Sequence, residues 1–306
     1  MDQVVHGTGR RATGPSIVLT ALLLFSNVNM LEGHGVQQPT KRLLRHKPPA
    51  QQARTQRLIT YRLEARVANR GNLWRRFTER QLRLLELLNR CDLNHLTRQA
   101  RLVVPDRWNL DPLAYSPLPR RYAWAEPYPK VLVVHQPSQA FGGYERGNLI
   151  RWGPVSSGRA QYPTPTGLFH LNWKSRGRQS TLNPHWFLKW YFNFSNVRGI
   201  SFHAYGLPGF PASHACVRLL DRDARWLFTW GEQWQLGPRG ISILRPGTPV
   251  RIVGRYQFNA PPPWRSLPWL QRGADLPEGA PLLETSSITA LRPPPLRGSG
   301  RPPLPQ

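Results

Sequence analysis

The chain is short of acidic side chains, cysteine and lysine, and each shortage narrows the chemistry that it can perform. Its 306 residues contain 16 Asp and Glu against 42 Lys and Arg, which gives a formal net charge of +26. Two cysteines are too few for a disulfide scaffold or a four-cysteine zinc site. Only five of the basic residues are lysine, so arginine carries the excess charge. This charge first favours a polyanionic partner such as nucleic acid, anionic lipid or a cell-wall polymer.

Residues 131–254 also lack the groups that several common enzyme classes require. They contain only four carboxylates, those of Glu145, Asp221, Asp223 and Glu232. Because the two aspartates lie where a helix is predicted to begin, little remains for a glycosidase acid/base pair or a carboxylate-rich metal site. No glycine-rich loop ends in Lys followed by Ser or Thr, which excludes P-loop phosphate chemistry.

Residues 1–33 are predicted to form a signal peptide or an N-terminal anchor. Arg10 and Arg11 precede a nine-residue apolar run, IVLTALLLF at 17–25. The run suits a signal-peptide core and is short for a membrane span of about 20 residues. No clean Ala-x-Ala cleavage site follows it. We therefore expect export to the periplasm or cell envelope, with or without cleavage; a buried helix of a cytosolic protein is the alternative.

Residues 34–104 form a basic region that is predicted to be partly helical. Leu84, Leu87, Leu88 and Cys91 recur with helical spacing, and residues 101–105 (RLVVP) suggest a short strand. Apolar residues around Leu63 suggest an earlier helix. The pattern favours a plain helical prodomain or spacer; the alternative is part of a lysin motif, a small peptidoglycan-binding module that residues 87–106 faintly resemble. Cys91 is predicted to be a buried thiol with no bond to Cys216.

From residue 105 onward the pattern changes twice. Residues 105–129, rich in Pro, Tyr and Trp, are predicted to be an ordered linker. Residues 130–254 contain short β-type runs separated by turn residues, which indicates a mainly β domain. The aromatic residues at 183–194 are predicted to pack in the core and in a lid over the site. Stacking on sugar or peptide is the alternative. Residues 255–306 are predicted to be a disordered tail, since residues from 257 onward hold 12 of the 32 prolines.

Four reactive or polar side chains cluster between residues 203 and 216, namely His203, Ser213, His214 and Cys216. A cysteine nucleophile needs a histidine to take its proton, and backbone N–H groups to face the developing oxyanion. Either histidine can serve, since Gly and Pro residues between them favour a loop that folds the chain back. A buried core cysteine and a zinc site formed by both histidines and Cys216 remain open alternatives.

The same segment resembles the signature of the L,D-transpeptidase (YkuD) catalytic domain. That signature is a histidine, a variable loop, then Ser-His-Gly-Cys, an aliphatic residue and Arg or Asn; here it is His203 followed by SHACVR at 213–218. Upstream, GPVSSGR at 153–159 and TPTGLF at 164–169 resemble the turns of the family, and GTPVRIV at 247–253 resembles its closing strand. The resemblance spans residues 130–254 and implies a β-sandwich or barrel with short helices.

Two positions depart from the family pattern. Ala215 stands where the family usually has glycine, and Ala204 follows His203 where many members have glycine. Glycine permits backbone geometry that other residues adopt at a cost, so Ala215 raises a question about the oxyanion hole. The histidine, the serine and the cysteine of the signature are all retained, which favours an active enzyme.

The resemblance implies acyl transfer between peptidoglycan stem peptides, with no cofactor and no metal. It assigns Cys216 as the nucleophile and His203 as the proton donor and acceptor. Ser213, His214 and Arg218 are expected to support the site, and the N–H groups of Ala215 and Cys216 to form the oxyanion hole. The product is a 3→3 cross-link or another acceptor amide.

Two other functions stay open. With water as acceptor, the enzyme becomes an L,D-carboxypeptidase or a hydrolase of peptidoglycan peptides. A catalytically weak, basic cell-wall-binding protein is the rival from another class. For an exported protein, the charge of +26 favours contact with an anionic envelope surface, and nucleic acid is not expected as a partner.

Overall fold

The computed structural model describes residues 59–65 and 69–279. These residues belong to one compact unit, residues 48–306. The predicted signal peptide at 1–33 and the end of the proline-rich tail, 280–306, lie outside the described residues. Among the described residues, none of the helices has both the length and the apolar character needed to cross a membrane.

The N-terminal region is a strand–helix–strand unit. It contains strand β1 (Tyr61–Ala65), helices α1 (Arg70–Arg76), α2 (Glu79–Asn89) and α3 (Leu93–Leu96), and strand β2 (Arg101–Pro105). The predicted strand at 101–105 is confirmed. The helix predicted around Leu63 is wrong, because Leu63 lies in β1 and pairs with Val103 of the antiparallel neighbour β2. That pairing supplies the hydrogen bonds that a helix would otherwise provide.

Helix α2 is the anchor of this region, and the sequence specifies both of its ends. Thr78 and Gln81 form a reciprocal capping box at the N-terminus. At the other end Arg90 adopts the left-handed conformation with φ of 57° and so turns the chain sharply away from the helix. The apolar face packs on neighbouring core side chains through Leu84 and Leu88. Cys91 follows the helix and is fully buried.

The predicted mainly β fold of residues 130–254 is confirmed. Its strands are β3 (Val131–His135), β4 (Ala140–Glu145), β5 (Asn148–Ser156), β6 (Gly167–His170), β7 (Lys174–Gln179), β8 (Phe187–Ser195), β9 (Ile200–Ala204), β10 (Val217–Leu219), β11 (Gln235–Leu236), β12 (Ile243–Arg245) and β13 (Pro249–Val253). Nine of them form one sheet in the order β6-β13-β3-β4-β5-β10-β9-β8-β7. The sheet curls until β6 approaches β8, where Phe169 and Phe194 meet edge to face. Helix α4 (Asp221–Trp230) packs against β8 and β9.

Strand β3 is buried on both faces, which explains its continuous apolar run. Leu132 and Val134 face the core inside the curled sheet. Val131 and Val133 face a second core that is shared with residues of the N-terminal region. The N-terminal region therefore covers one face of the nine-stranded sheet.

The linker is ordered, as predicted, whereas part of the proline-rich tail is more ordered than its composition suggests. Within 105–129, short 3₁₀ helices form at Pro112–Tyr115 and Ala123–Ala125, and Tyr115 is buried. The predicted disorder is wrong for residues 255–279, which include a 3₁₀ turn at Pro263–Arg265 and helix α5 (Leu267–Arg272). Trp264, 1% exposed, anchors this segment against the Arg90 guanidinium, and proline is tolerated where each helical turn begins.

Candidate active site

The candidate site lies at the junction of the parallel strands β9 and β10. Val217 pairs with Phe202, and Arg218 pairs with His203. One residue earlier, Cys216 therefore lies next to Ser201, and the Oγ and Sγ atoms of these two residues are 3.5 Å apart. Since alternate residues of a strand share a face, Ser201 and His203 point to the same side as Cys216 and Arg218.

The imidazole of His203 is fixed by a backbone carbonyl. Its Nδ1 lies 3.2 Å from the oxygen of Ala204. A carbonyl only accepts, so Nδ1 carries the proton and Nε2 is left as the basic nitrogen. Burial lowers the pKa of His203 to about 4, against a smaller opposing effect of the Ala204 hydrogen bond. The ring is therefore neutral at physiological pH.

The Cys216 thiol is half-buried beside β9. Burial raises its pKa, while hydrogen bonds from Ser201 and the charge of Arg218 act in the opposite direction. Both cysteines of the chain are free, and Cys91 is fully buried in the N-terminal region. With a neutral thiol beside a neutral imidazole, the resting site is an uncharged pair, and the thiolate forms by proton transfer.

Ala215 adopts the left-handed backbone conformation that its position normally reserves for glycine. Its φ is +74°, a region that costs an L-residue roughly 1–2 kcal/mol. The carbonyl of Ala215 accepts a hydrogen bond from Thr164 Oγ1 at 2.8 Å. Ala215 thus keeps the backbone geometry typical of glycine, and its side chain makes that geometry strained. In the described loops and turns, no backbone carbonyl accepts from the N–H of Ala215 or Cys216.

The turn at 157–164 supports this segment from the opposite side. Gly158 and Ser213 form a parallel bridge, and Ser213 N donates to the carbonyl of Ser157 at 3.0 Å. Gly158 N donates to Thr164 Oγ1 at 2.8 Å. A Cβ at Gly158 would lie 2.0 Å from the Tyr162 carbonyl oxygen, so only glycine fits there. The motifs at 153–159 and 164–169 therefore together support the turn that precedes Cys216.

His214 occupies the rim of the cleft, between two aromatic rings. Its ring centroid is 4.9 Å from that of Tyr162 and 5.2 Å from that of Trp186. Trp186 belongs to the loop between β7 and β8, which covers the site. From the same aromatic block, Phe192 and Phe194 point into the core. The aromatic residues at 183–194 thus contribute both to the core and to the loop that covers the site, and His214 contacts that loop through Trp186.

Two guanidinium groups beside the cleft lack an acidic partner among residues 59–65 and 69–279. Among the described residues, neither Arg159 nor Arg218 forms an ion pair with a carboxylate. Arg218 lies over the Tyr205 ring at 4.6 Å, and Arg159 lies over the Tyr162 ring at 4.9 Å. Within the described part of the chain, the Nε of Arg159 is buried without a hydrogen-bond partner. Burial lowers the pKa of Arg218, as expected for a cation without a neighbouring carboxylate.

The structure brings the predicted site residues together. One cleft is lined by His203, Ser213, His214, Cys216 and Arg218, with Ser180, Leu182, Trp186, Leu188 and Tyr205. Ala215 packs beside Cys216 at the edge of the core. Within the part of the chain that the structure describes, no three His, Cys, Asp or Glu side chains form a group that could hold a metal ion. Sequence reasoning did not single out Ser201, Thr164, Arg159 or Trp186 as site residues, although the last three lie within the segments noted at 164–169, 153–159 and 183–194.

Comparison with known proteins identifies a matching family model. The model of the YkuD family, described as the L,D-transpeptidase catalytic domain, matches residues 129–252. No curated protein matches the chain.

Similar solved structures include an L,D-transpeptidase from Stackebrandtia nassauensis, with 25% identity and a TM-score of 0.34, covering 42% of this chain and 56% of that one. An L,D-transpeptidase from Xylanimonas cellulosilytica has 24% identity and a TM-score of 0.36. The match covers 46% of this chain and 66% of that one. L,D-transpeptidase 1 from Mycobacterium tuberculosis has 22% identity and a TM-score of 0.32. The match covers 41% of this chain and 62% of that one. The chain thus spans about 56–62% of the first relatives that it matches. The similarity to the YkuD family of L,D-transpeptidase catalytic domains therefore covers residues 129–252.

Proposed function

We propose that the protein is a cysteine-dependent acyltransferase that acts on peptidoglycan stem peptides as an L,D-transpeptidase. The observation that carries this proposal is the shared cleft of the Cys216 thiol and the His203 imidazole, with the tautomer of His203 set by the Ala204 carbonyl. The YkuD family match supports the reaction class and the substrate class.

In the acylation step, the Cys216 thiol gives its proton to Nε2 of His203. The thiolate attacks the carbonyl carbon that joins the third stem residue to the terminal D-Ala. The C–N bond breaks, the leaving D-Ala nitrogen takes the proton from His203, and a thioester joins the stem to Cys216. Proton transfer inside the cleft is what a neutral thiol and imidazole require, since no thiolate exists beforehand.

In the transfer step, the amine of a second stem peptide attacks the thioester carbonyl. His203 accepts a proton from that amine, the C–S bond breaks, and Cys216 leaves as the thiol after reprotonation. The new amide is a 3→3 cross-link. Water in place of the amine would yield the carboxylate product of a carboxypeptidase.

The strained turn at Ala215, directly before Cys216, is expected to stabilise the developing oxyanion. We assign this role to the N–H groups of Ala215 and Cys216, which no carbonyl of the described loops and turns occupies. The brace from Thr164 to the Ala215 carbonyl fixes the orientation of the peptide group between these residues. Preorganised donors of this kind are worth about 10²–10³ in rate.

Arg218 and Arg159 are assigned to substrate carboxylates. Both guanidiniums lie beside the cleft without a carboxylate partner among the described residues. The buried and unpaired Nε of Arg159 adds a donor that a ligand oxygen can satisfy. Guanidinium groups bind carboxylates in a bidentate manner, which favours stem peptides with unamidated carboxylates.

Product analysis separates transpeptidase from hydrolase. The protein is incubated with a tetrapeptide stem, with and without an acceptor stem, and the peptides are identified by mass spectrometry. We expect a cross-linked dimer and released D-Ala with the acceptor. Tripeptide alone in both reactions would assign the hydrolase, and no turnover together with salt-sensitive wall binding would assign the basic binding protein.

Export to the periplasm or cell envelope remains a proposal that rests on the predicted signal or anchor at 1–33. A peptidoglycan substrate requires such a location. The basic charge of the chain would there act by attraction to an anionic envelope surface.

A further inference from the structure

The loop between the histidine and the cysteine turn is held by the N-terminal region. Its middle lies against the segment that follows helix α2, where Cys91 and Pro208 form an antiparallel bridge. Asp92 N donates to the Leu207 carbonyl at 3.1 Å, and Leu207 N donates to Asp92 Oδ2 at 2.7 Å. Asp92 therefore satisfies both backbone groups of Leu207, 115 residues away in sequence.

A second contact fixes the next residue of the loop. Gln99 Nε2 donates to the Pro208 carbonyl at 2.9 Å, and the Gln99 side chain receives a hydrogen bond from Arg265. Gly209 follows with φ of +92°, and a Cβ there would lie 3.1 Å from Gln99 Nε2. The loop thus turns at the point where the N-terminal region holds it.

The held residues lead directly to the reactive groups. Gly206, next to Leu207, accepts a long hydrogen bond of 3.4 Å from Arg218 Nη1. Tyr205 lies under the Arg218 guanidinium and meets the His203 ring edge-on at 6.0 Å between centroids. A shift of Leu207 would therefore move Tyr205 against both side chains.

Asp92 is well suited to such a role because its own position is fixed. It caps helix α3, with Oδ1 accepting from His95 N at 3.0 Å, and Oδ1 lies 2.8 Å from His95 Nδ1. The other carboxylate oxygen, Oδ2, accepts from Leu207 N and also lies 2.9 Å from His95 Nδ1. One carboxylate thus joins the start of a helix in the N-terminal region to the loop of the catalytic domain.

We propose that Asp92 is a positioning residue for catalysis, and that the N-terminal region acts through it as a clamp on the 205–212 loop. The catalytic half of this inference rests on the proposed function. The holding of the loop is independent of it, because hydrogen exchange can measure it without substrate.

The test compares Asp92→Ala and Gln99→Ala with Asn69→Ala in the full chain. Asn69 also caps a helix, since its side chain accepts from Asn72 N at 2.9 Å, and it makes none of the loop contacts described above. We expect Asp92→Ala and Gln99→Ala to speed amide exchange in peptides that cover 205–212, and Asn69→Ala to leave that exchange unchanged. Asp92→Asn keeps an oxygen acceptor and a helix cap, so it is expected to retain most of the protection.

Acylation by a stem tetrapeptide is then measured under single-turnover conditions. Asp92→Ala is expected to acylate about tenfold or more slowly than wild type, because small misplacements of reacting groups are costly. Asp92→Asn should recover most of the rate, and Asn69→Ala should match wild type. Unchanged loop exchange in Asp92→Ala, or equal acylation losses in Asp92→Ala and Asn69→Ala, would overturn the clamp. A wild-type protein that does not acylate would overturn the proposed function instead, and the exchange data would still decide whether Asp92 holds the loop.

Discussion

Thr164 and Ala215 are 51 residues apart in sequence, and the Thr164 hydroxyl donates to the Ala215 carbonyl across 2.8 Å. The same hydroxyl accepts from Gly158 N at 2.8 Å. One buried oxygen therefore joins both upstream turns to the residue that precedes the candidate nucleophile.

Replacing Thr164 by valine is predicted to damage both stability and acylation. Valine keeps the shape of the side chain and removes the hydroxyl, which leaves two backbone groups without their partner. The free energy of unfolding should fall by about 2–3 kcal/mol, and acylation should slow by at least about tenfold. Urea unfolding and single-turnover acylation are the measurements.

Thr248→Val is the matched control for this change. Thr248 is also buried, and its hydroxyl accepts from Glu232 N at 3.0 Å. It should lose stability and keep the acylation rate. Equal acylation rates in the two variants would mean that the Thr164 brace has no catalytic effect.

Ala215→Gly is predicted to stabilise the protein. The left-handed conformation at Ala215 costs alanine roughly 1–2 kcal/mol, whereas the extra freedom of glycine in the unfolded chain costs about 0.5–1 kcal/mol. A net gain of up to about 1.5 kcal/mol follows from these two terms. Thermal and urea unfolding measure it. Ala212→Gly is the control, since Ala212 lies outside the positive-φ residues and should lose stability on the same substitution. A loss in both variants would show that Ala215 is unstrained.

The pH profile of acylation should reflect the low pKa of His203. Burial lowers this pKa to about 4, so the imidazole stays neutral, and able to accept the thiol proton, as the pH falls from 7 towards about 4. Below that value the ring is protonated and acylation is lost. Single-turnover rates between pH 3.5 and 8 should therefore be flat down to roughly pH 5. An inflection near 6.5, the ordinary histidine value, would contradict a buried neutral His203.

Arg159 and Arg218 are predicted to determine the preference for free carboxylates. Arg159→Gln and Arg218→Gln should each raise KM for an unamidated stem by about tenfold, with a much smaller change for the amidated stem. The exposed Arg239→Gln changes net charge equally at a distance from the cleft and serves as the control. If all three variants raise KM alike, general electrostatics rather than a carboxylate site explains the effect.

Local patterns were sufficient to predict much of the fold. The spacing of Leu84, Leu87 and Leu88 predicted a helix, and short β-type runs between turn residues predicted the strands of the large sheet. The spacing of His203 and Cys216 around a Gly- and Pro-rich loop predicted that they would meet. These features depend on residues that are close in sequence, or on a single loop closure.

The remaining features depend on distant parts of the chain. Nothing local distinguishes Asp92 as the partner of Leu207, because its sequence context indicates only a helix cap. Trp264 is buried in a proline-rich segment because the Arg90 guanidinium lies against its ring, and composition alone suggested disorder there. Leu63 lies in a strand because it pairs with Val103 of β2.

The central claim is that Cys216 carries the acyl group and that His203, rather than His214, moves the proton. The most direct measurement is the intact mass of the wild-type protein and of Cys216→Ala, His203→Ala and His214→Ala after incubation with a stem tetrapeptide. We predict an acyl adduct on the wild type and on His214→Ala, and none on Cys216→Ala or His203→Ala. An adduct on Cys216→Ala would contradict the nucleophile, and loss of the adduct in His214→Ala with retention in His203→Ala would reverse the assignment of the base.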